Sequence, residues 1–87
     1  MTIDFTGPVE IGELTSLLAG AADDIYRVKG VFPTADGRRC VDMSPAELRI
    51  GEEAGGTAVI GLIVIVNAGA EDRMERLFER LGCASSL

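Results

Sequence analysis

The run AVIGLIVIV at residues 58–66 constrains the fold of this chain more than any other feature of its sequence. Side chains in a β-strand alternate between two faces, and here both alternating faces are apolar. One face carries Val59, Ile63 and Ile65, and the other carries Ile60, Leu62, Val64 and Val66. A strand of this kind is typical of the centre of a sheet or of a position covered on both faces. The run therefore predicts an interior strand, and it is far too short to span a bilayer.

The length and the charge of the chain narrow the classes of protein to which it can belong. Its 87 residues predict a single domain, residues 1–87, and its net charge of −6 repels a phosphate backbone. We therefore expect no nucleic-acid partner. The sequence has no apolar stretch of about 18 residues and no basic-then-apolar leader, so we expect neither a membrane span nor a signal peptide. A cytoplasmic location is the corresponding expectation.

Apolar residues recur every three or four positions in two segments, which is the spacing of one face of a helix. The first segment, 10–19, carries Ile11, Leu14, Leu17 and Leu18. The second segment, 70–81, carries Met74, Leu77, Phe78 and Leu81. Acidic residues open the second segment and a glycine follows it, as is typical of helix termini. Both segments are predicted to be helices that bury these stripes.

Alternation and turn residues predict three further strands. The first covers 2–5 and the second covers 25–32. The Asp36-Gly37 pair then favours a tight hairpin, because glycine tolerates a positive φ. The third strand, 39–50, is interrupted at Ser44-Pro45, since proline cannot donate a ladder hydrogen bond. We expect either a bulge there or two short strands, 39–43 and 47–50.

The predicted element order is β-α-β-β-β-α, which indicates an α+β fold. Each helix needs a sheet face against which to bury its apolar stripe. The simplest arrangement is a two-layer sandwich, a four-stranded, mostly antiparallel sheet with both helices on one face. The first strand is expected beside the strand at 58–66, because that strand alone has an interior pattern. The opposite face of the sheet would then be open.

Residue types that enzymes and metal sites require are scarce in this sequence. Histidine is absent, so no imidazole base is available to a serine or cysteine nucleophile, and no GxxxxGK[ST] phosphate loop occurs. Cys40 and Cys83 stand far apart and have no clustered ligands, which indicates neither a zinc site nor a disulfide. We expect no catalytic, cofactor-binding or metal-binding residue in this chain.

Two cations interrupt the otherwise apolar strand IYRVKGVF at 25–32. Strict alternation places one set of its side chains on the open face of the sheet: Ile25, Arg27, Lys29 and Val31. The other set faces the helices: Tyr26, Val28, Gly30 and Phe32. A glycine inside a strand is typical of a bulge or of a close backbone approach.

The charged face has more than one interpretation. Arg27 and Lys29 could form a solvated ladder with Asp42, Glu47 and Arg49 of the third strand, at about 0.2–1 kcal/mol per opposite pair. The same face could instead dock a protein, because the strand at 58–66 adds apolar residues to it. The candidate interaction surface then consists of Arg27, Lys29, Arg49, Val59, Ile63 and Ile65. An alternative is a sensor domain in which Arg27, Lys29 and Arg49 bind a small anionic ligand.

The segment Arg27-Val28-Lys29-Gly30 resembles the R-x-K-G signature of the C-terminal domain of CobW-type proteins. That family consists of P-loop GTPases associated with cobalamin synthesis and with the delivery of metal ions such as zinc. The resemblance extends to VEIGELTSLLAG before this strand, to VIGLIVIVNAG, and to the closing EDRMERLFERL.

The resemblance implies a noncatalytic accessory domain of a metal chaperone. Such a domain would dock a GTPase domain, a client protein or a second copy of itself. GTP, Mg and a transition metal such as zinc would belong to the N-terminal GTPase domain of a full-length relative. The histidine-rich stretches that many relatives carry near this domain are absent from this sequence.

Overall fold

The computed structural model describes the backbone of residues 1–52 and 60–86, and the side chains of all of these except 84–86. The elements, in chain order, are β1 (Thr2–Phe5), α1 (Ile11–Gly20), a short 3₁₀ helix (Ala22–Asp24), β2 (Ile25–Thr34), β3 (Gly37–Met43), β4 (Leu48–Glu52), β5 (Gly61–Val66), α2 (Glu71–Arg80) and β6 (Cys83–Ser86). Both helices agree with the predicted segments to within one residue at each end. Neither helix of the described residues is long and apolar enough to cross a membrane.

In the described part of the chain, six strands form one sheet in the order β4-β3-β2-β5-β1-β6. Every neighbouring pair of strands is antiparallel. The fold is α+β, but the predicted four-stranded sheet and the order β-α-β-β-β-α are wrong. The predicted third strand is two strands, and a further strand follows α2, so the order is β-α-β-β-β-β-α-β.

The predicted interruption at Ser44-Pro45 is confirmed, and it separates two strands that pair with each other as a hairpin. The backbone N–H of Ser44 donates to the carbonyl of Glu47 at 2.9 Å, and the N–H of Glu47 donates to the carbonyl of Ser44 at 3.3 Å. Pro45 and Ala46 form the tip between these bonds. Proline is tolerated at this tip because no strand hydrogen bond requires a backbone N–H from residue 45.

Strand β6 is the strand that the sequence analysis missed. It follows Gly82, whose φ of 80° lies in the left-handed region and reverses the chain direction after α2. Cys83 then pairs with Phe5, and Ser86 pairs with Thr2, so β6 becomes an edge strand beside β1. A four-residue segment of small and polar residues has no alternation to reveal it, and its pairing with the first strand is non-local.

Strand β5 has the interior position that its apolar pattern predicts. It pairs with β2 on one side and with β1 on the other, which confirms the expected neighbour of the first strand. The chain start is also bound to it, since the N–H of Val64 donates to the carbonyl of Met1 at 2.8 Å. The edges of the sheet are therefore β4 and β6.

Both helices bury their apolar stripes in one core on one face of the sheet. Leu14 and Leu18 of α1 and Met74 and Phe78 of α2 are fully buried. They belong to the same cluster as the inward-facing strand residues Ile3, Ile25, Val28, Phe32, Val41, Met43, Leu62 and Val64. The side chains between these positions on the strands lie on the opposite face, on which neither α1 nor α2 packs.

The start of β2 departs from strict alternation. The pairing of β2 with β5 shifts register between Ile25 and Arg27, which is the mark of a β-bulge. Ile25 consequently lies in the core, 3% exposed, while Tyr26 is 60% exposed. The predicted faces of these two residues are therefore wrong. From Arg27 onward Arg27 and Lys29 are exposed while Val28 and Phe32 are fully buried, as predicted. Val31, which was predicted to share the exposed face of Arg27 and Lys29, is instead buried at 9% exposure.

Gly30 lies where two strands approach each other closely. This confirms one of its two predicted roles, a close backbone approach, over the other, a bulge. A Cβ added at Gly30 would lie 2.1 Å from the carbonyl oxygen of Gly61 on β5. Its φ of 153° is also a conformation that L side chains rarely adopt. No side chain can be accommodated here without moving backbone, so glycine is required for β2 to pair with β5.

Replacing Gly30 with alanine is expected to lower the free energy of unfolding by at least about 2 kcal/mol, because the added methyl group meets a backbone atom. Urea denaturation followed by circular dichroism measures this change. Gly20→Ala is the matched control, since nothing lies within 4 Å of its added Cβ. That control should leave stability unchanged or raise it by up to about 1 kcal/mol. Equal stability of Gly30→Ala and the parent chain would contradict the close approach.

Candidate functional site

The sheet face opposite α1 and α2 is the candidate functional site. Strand register places a single row of residues across it, with Arg49 opposite Asp42, Asp42 opposite Lys29, Lys29 opposite Ile63, and Ile63 opposite Thr2. In a neighbouring row Arg27 lies opposite Ile65. We call these residues the open face: Thr2, Arg27, Lys29, Asp42, Arg49, Ile63 and Ile65.

One half of the open face is charged and internally paired. The guanidinium of Arg27 donates to both carboxylate oxygens of Asp42, at 3.3 and 3.4 Å, across the diagonal between β2 and β3. Arg49 and Glu47 form a second ion pair at 3.0 Å. All four side chains remain about half exposed or more, so each pair is screened by water and contributes little to stability. With Ser44, they line a shallow hollow of about 210 Å³.

Lys29 differs from the two arginines of this face. It is exposed, and among the described residues no hydrogen bond or ion pair involves it. Although its register partner on β3 is Asp42, that carboxylate contacts Arg27 instead. Lys29 therefore presents an ammonium group without a direct ion-pair partner in the described part of the chain, where the charged half of the face meets β5.

The other half of the open face is apolar. Ile63 is 63% exposed and Ile65 is 50% exposed, although both lie on a central strand of the sheet. They are neighbours on the same face of β5, so together with the stem of Lys29 they form one contiguous apolar strip. A partner that covered this side of the sheet would remove the apolar strip from water, and the burial of apolar surface is the usual driving force for association.

Five of the six predicted surface residues are brought together by the fold. Arg27, Lys29, Arg49, Ile63 and Ile65 all lie on the open face. The sixth, Val59, lies outside the described residues. The sequence analysis missed the exposure of Tyr26, and no sequence signal identifies the bulge that exposes it. It named Asp42 and Glu47 as neighbours of the cations, but the register was needed to decide which cation each contacts.

The described residues contain little that could perform chemistry. Cys83 is buried, and that burial raises the pKa of its thiol, which disfavours the reactive thiolate. Cys40 is half-buried, and its thiol donates a weak hydrogen bond to the carbonyl of Glu52, 3.4 Å away. Across residues 1–52 and 60–86, no group of three Cys, Asp or Glu side chains is placed to hold a metal ion.

Among solved structures, the fold of this chain is similar to part of a CobW-type GTPase, YjiA. The Zn(II)-bound YjiA GTPase from E. coli aligns with 93% of this chain at a TM-score of 0.69 and 20% sequence identity. A Zn(II)-bound triple mutant of YjiA aligns equally well, at a TM-score of 0.69 and 19% identity. The alignments cover 28% of the YjiA chains, so this chain corresponds in length to about a quarter of that protein.

At this level of identity the likeness is one of fold, and it supports a CobW-type fold for nearly the whole chain. Sequence comparisons add no further relative. No protein-family model matches the chain. No curated protein matches it either.

The ion pair between Arg27 and Asp42 is expected to matter little for folding. A double-mutant cycle with Arg27→Ala and Asp42→Ala should give a coupling energy of about 0.2–1 kcal/mol in urea denaturation, because both side chains are about half exposed. The pair Arg49 and Glu47, which is more exposed, provides the matched cycle and should give no larger value. A coupling energy above about 2 kcal/mol would show that the pair is structural, which would remove it from consideration as part of a docking surface.

Proposed function

We propose that this chain is a noncatalytic accessory domain that binds another protein through the open face. Its counterpart would be the accessory domain of CobW-type GTPase metal chaperones, and its first partner would be a GTPase domain. A client protein and a second copy of the chain are the other partners consistent with this surface. GTP, Mg and a metal such as zinc would be handled by the GTPase domain of such a protein.

The observation that carries the proposal is the exposed apolar strip of Ile63 and Ile65 in the middle of the sheet. A protein interface has an apolar centre surrounded by polar groups that remain partly hydrated. The open face has this layout, because the isoleucines are flanked by Lys29 and by the paired side chains of Arg27 and Asp42. Two adjacent isoleucines that are at least half exposed form a larger apolar patch than isolated surface residues do, and such patches mark interaction sites.

The fold comparison supports the accessory role in a coarser way. Almost the whole chain aligns with a portion of a GTPase that amounts to 28% of its length. A domain of that size within a larger enzyme needs a surface that contacts the other domains of the protein. The open face is suited to that contact, since the opposite sheet face is already covered by α1 and α2.

The anionic-ligand alternative receives less support from the geometry. Two of its three cations, Arg27 and Arg49, already bind the carboxylates of Asp42 and Glu47. An anion entering the hollow of about 210 Å³ between them would meet these two carboxylates as well. Lys29 is the remaining cation of that set, and a single exposed ammonium is a weak and unspecific anion site.

The test is binding of this chain to an isolated CobW-type GTPase domain by isothermal titration calorimetry, with light scattering to detect self-association. Ile63→Ser should weaken binding at least tenfold, because it removes buried apolar area at the centre of the interface. Lys29→Glu should weaken it mainly through slower association. Ile11→Ser is the matched control, since Ile11 is an exposed isoleucine of α1, away from the open face.

Three outcomes would overturn the proposal. One is a chain that stays monomeric and binds no GTPase domain, and another is an affinity that Ile11→Ser and Ile63→Ser reduce equally. Either result would indicate that the open face is only a solvated charge ladder. Hydrolysis of GTP by the isolated chain at a rate above the buffer background would contradict the noncatalytic role.

A further inference from the structure

The exposed side of α2 carries three arginines on one stripe. Arg73, Arg76 and Arg80 follow each other at spacings of three and four residues, which places them on one face of the helix. All three are exposed, and they border a shallow hollow of about 270 Å³ whose apolar wall is Leu77. We call these four residues the arginine stripe. It belongs to the helical layer, on the opposite side of the sheet from the open face.

The first arginine of the stripe is fixed in place by the protein. The guanidinium of Arg73 donates to both carboxylate oxygens of Asp24, at 2.8 and 3.3 Å, and so attaches α2 to the turn before β2. This contact shows the mode of recognition that the stripe can offer, a planar guanidinium holding a carboxylate with two parallel bonds.

The other two arginines have no such partner. Among the described residues, Arg76 and Arg80 form no hydrogen bond or ion pair. They stand four residues apart, so their like charges repel along the helix. Asp72 and Glu79 lie at i−4 and i+3 from Arg76, but neither forms an ion pair with it. A positive charge at Arg80 is favoured by the helix dipole, because it lies in the last turn, but Arg76 lies earlier and gains less from it.

We propose that the arginine stripe binds a carboxylate-rich segment of a partner protein. Arg76 and Arg80 are about 6 Å apart along the helix axis, since each residue rises about 1.5 Å. Acidic side chains four residues apart on a partner helix have the same spacing and present one carboxylate to each guanidinium. Leu77 lies between the two arginines and offers apolar contact to the stems of the bound side chains.

Net charge argues for a short acidic protein segment over a nucleic acid as the occupant. The chain as a whole carries −6, so a long polyanion is repelled at distances beyond the stripe. A segment with two or three carboxylates satisfies the free guanidinium groups without placing further negative charge against the acidic remainder of the protein. This second surface is independent of the open face, and together the two would let the domain contact two partners at once.

The experiment titrates the full chain into a fluorescent helical peptide with glutamates at i and i+4, and follows anisotropy at low and moderate salt. The double variant Arg76→Gln/Arg80→Gln should bind at least tenfold more weakly than the parent chain. Arg38→Gln/Arg39→Gln, which removes the same charge at the start of β3, is the matched control and should stay within about twofold of the parent. Arg76→Lys/Arg80→Lys should bind with intermediate affinity, because it keeps the charge and loses the bidentate geometry.

The proposal is overturned by any of three results. One is the absence of measurable binding to the glutamate peptide at low salt. Another is an equal loss of affinity in the Arg38/Arg39 and Arg76/Arg80 variants, which would show that net charge alone decides binding. The third is tighter binding of a single-stranded oligonucleotide of the same charge than of the peptide. Circular dichroism and thermal unfolding of each variant establish that a loss of binding does not come from a loss of fold.

Discussion

The close approach of β2 and β5 at Gly30 is the contact on which the rest of the sheet depends. Because no Cβ stands between Gly30 and the carbonyl of Gly61, the two strands pair over their length and β5 takes an interior position. Strand β1 then pairs with the free side of β5, and β6 with the free side of β1. The Gly30 approach and the apolar pattern of β5 thus set the strand order, and the two helices cover the face that this order makes apolar.

The parts of the fold that follow from local sequence could be predicted, and the parts that follow from distant pairing could not. Apolar spacing predicted the helices and the interior strand that the structure describes as β5, Gly61–Val66, and Ser44-Pro45 predicted the break between β3 and β4. Strand β6 and the bulge after Ile25 depend on register with strands far away in sequence. A four-stranded sheet was therefore too small, and Tyr26 was assigned to the wrong face.

The same division holds for the site. Alternation is sufficient to put Arg27, Lys29, Ile63 and Ile65 on one face, so most of the candidate surface was accessible to sequence reasoning. The pairing of Asp42 with Arg27, which leaves Lys29 free, is decided by side-chain geometry and not by register alone. The glycine of the RVKG segment has a structural reason that needs no ligand, whereas its lysine contributes nothing visible to folding. That difference directs attention to Lys29 and the neighbouring isoleucines as the part of the segment available for function.

The measurement that tests the central claim most directly is methyl NMR of isoleucine-labelled protein during addition of a CobW-type GTPase domain. The chain has seven isoleucines, of which Ile3 and Ile25 are buried in the core and Ile11 is exposed on α1. The account predicts that the methyl signals of Ile63 and Ile65 shift or broaden, while those of Ile3, Ile11 and Ile25 stay in place. Signals of Ile63 and Ile65 that remain unchanged while the partner is bound elsewhere, or unchanged at saturating partner, would contradict the assignment of the open face as the docking surface.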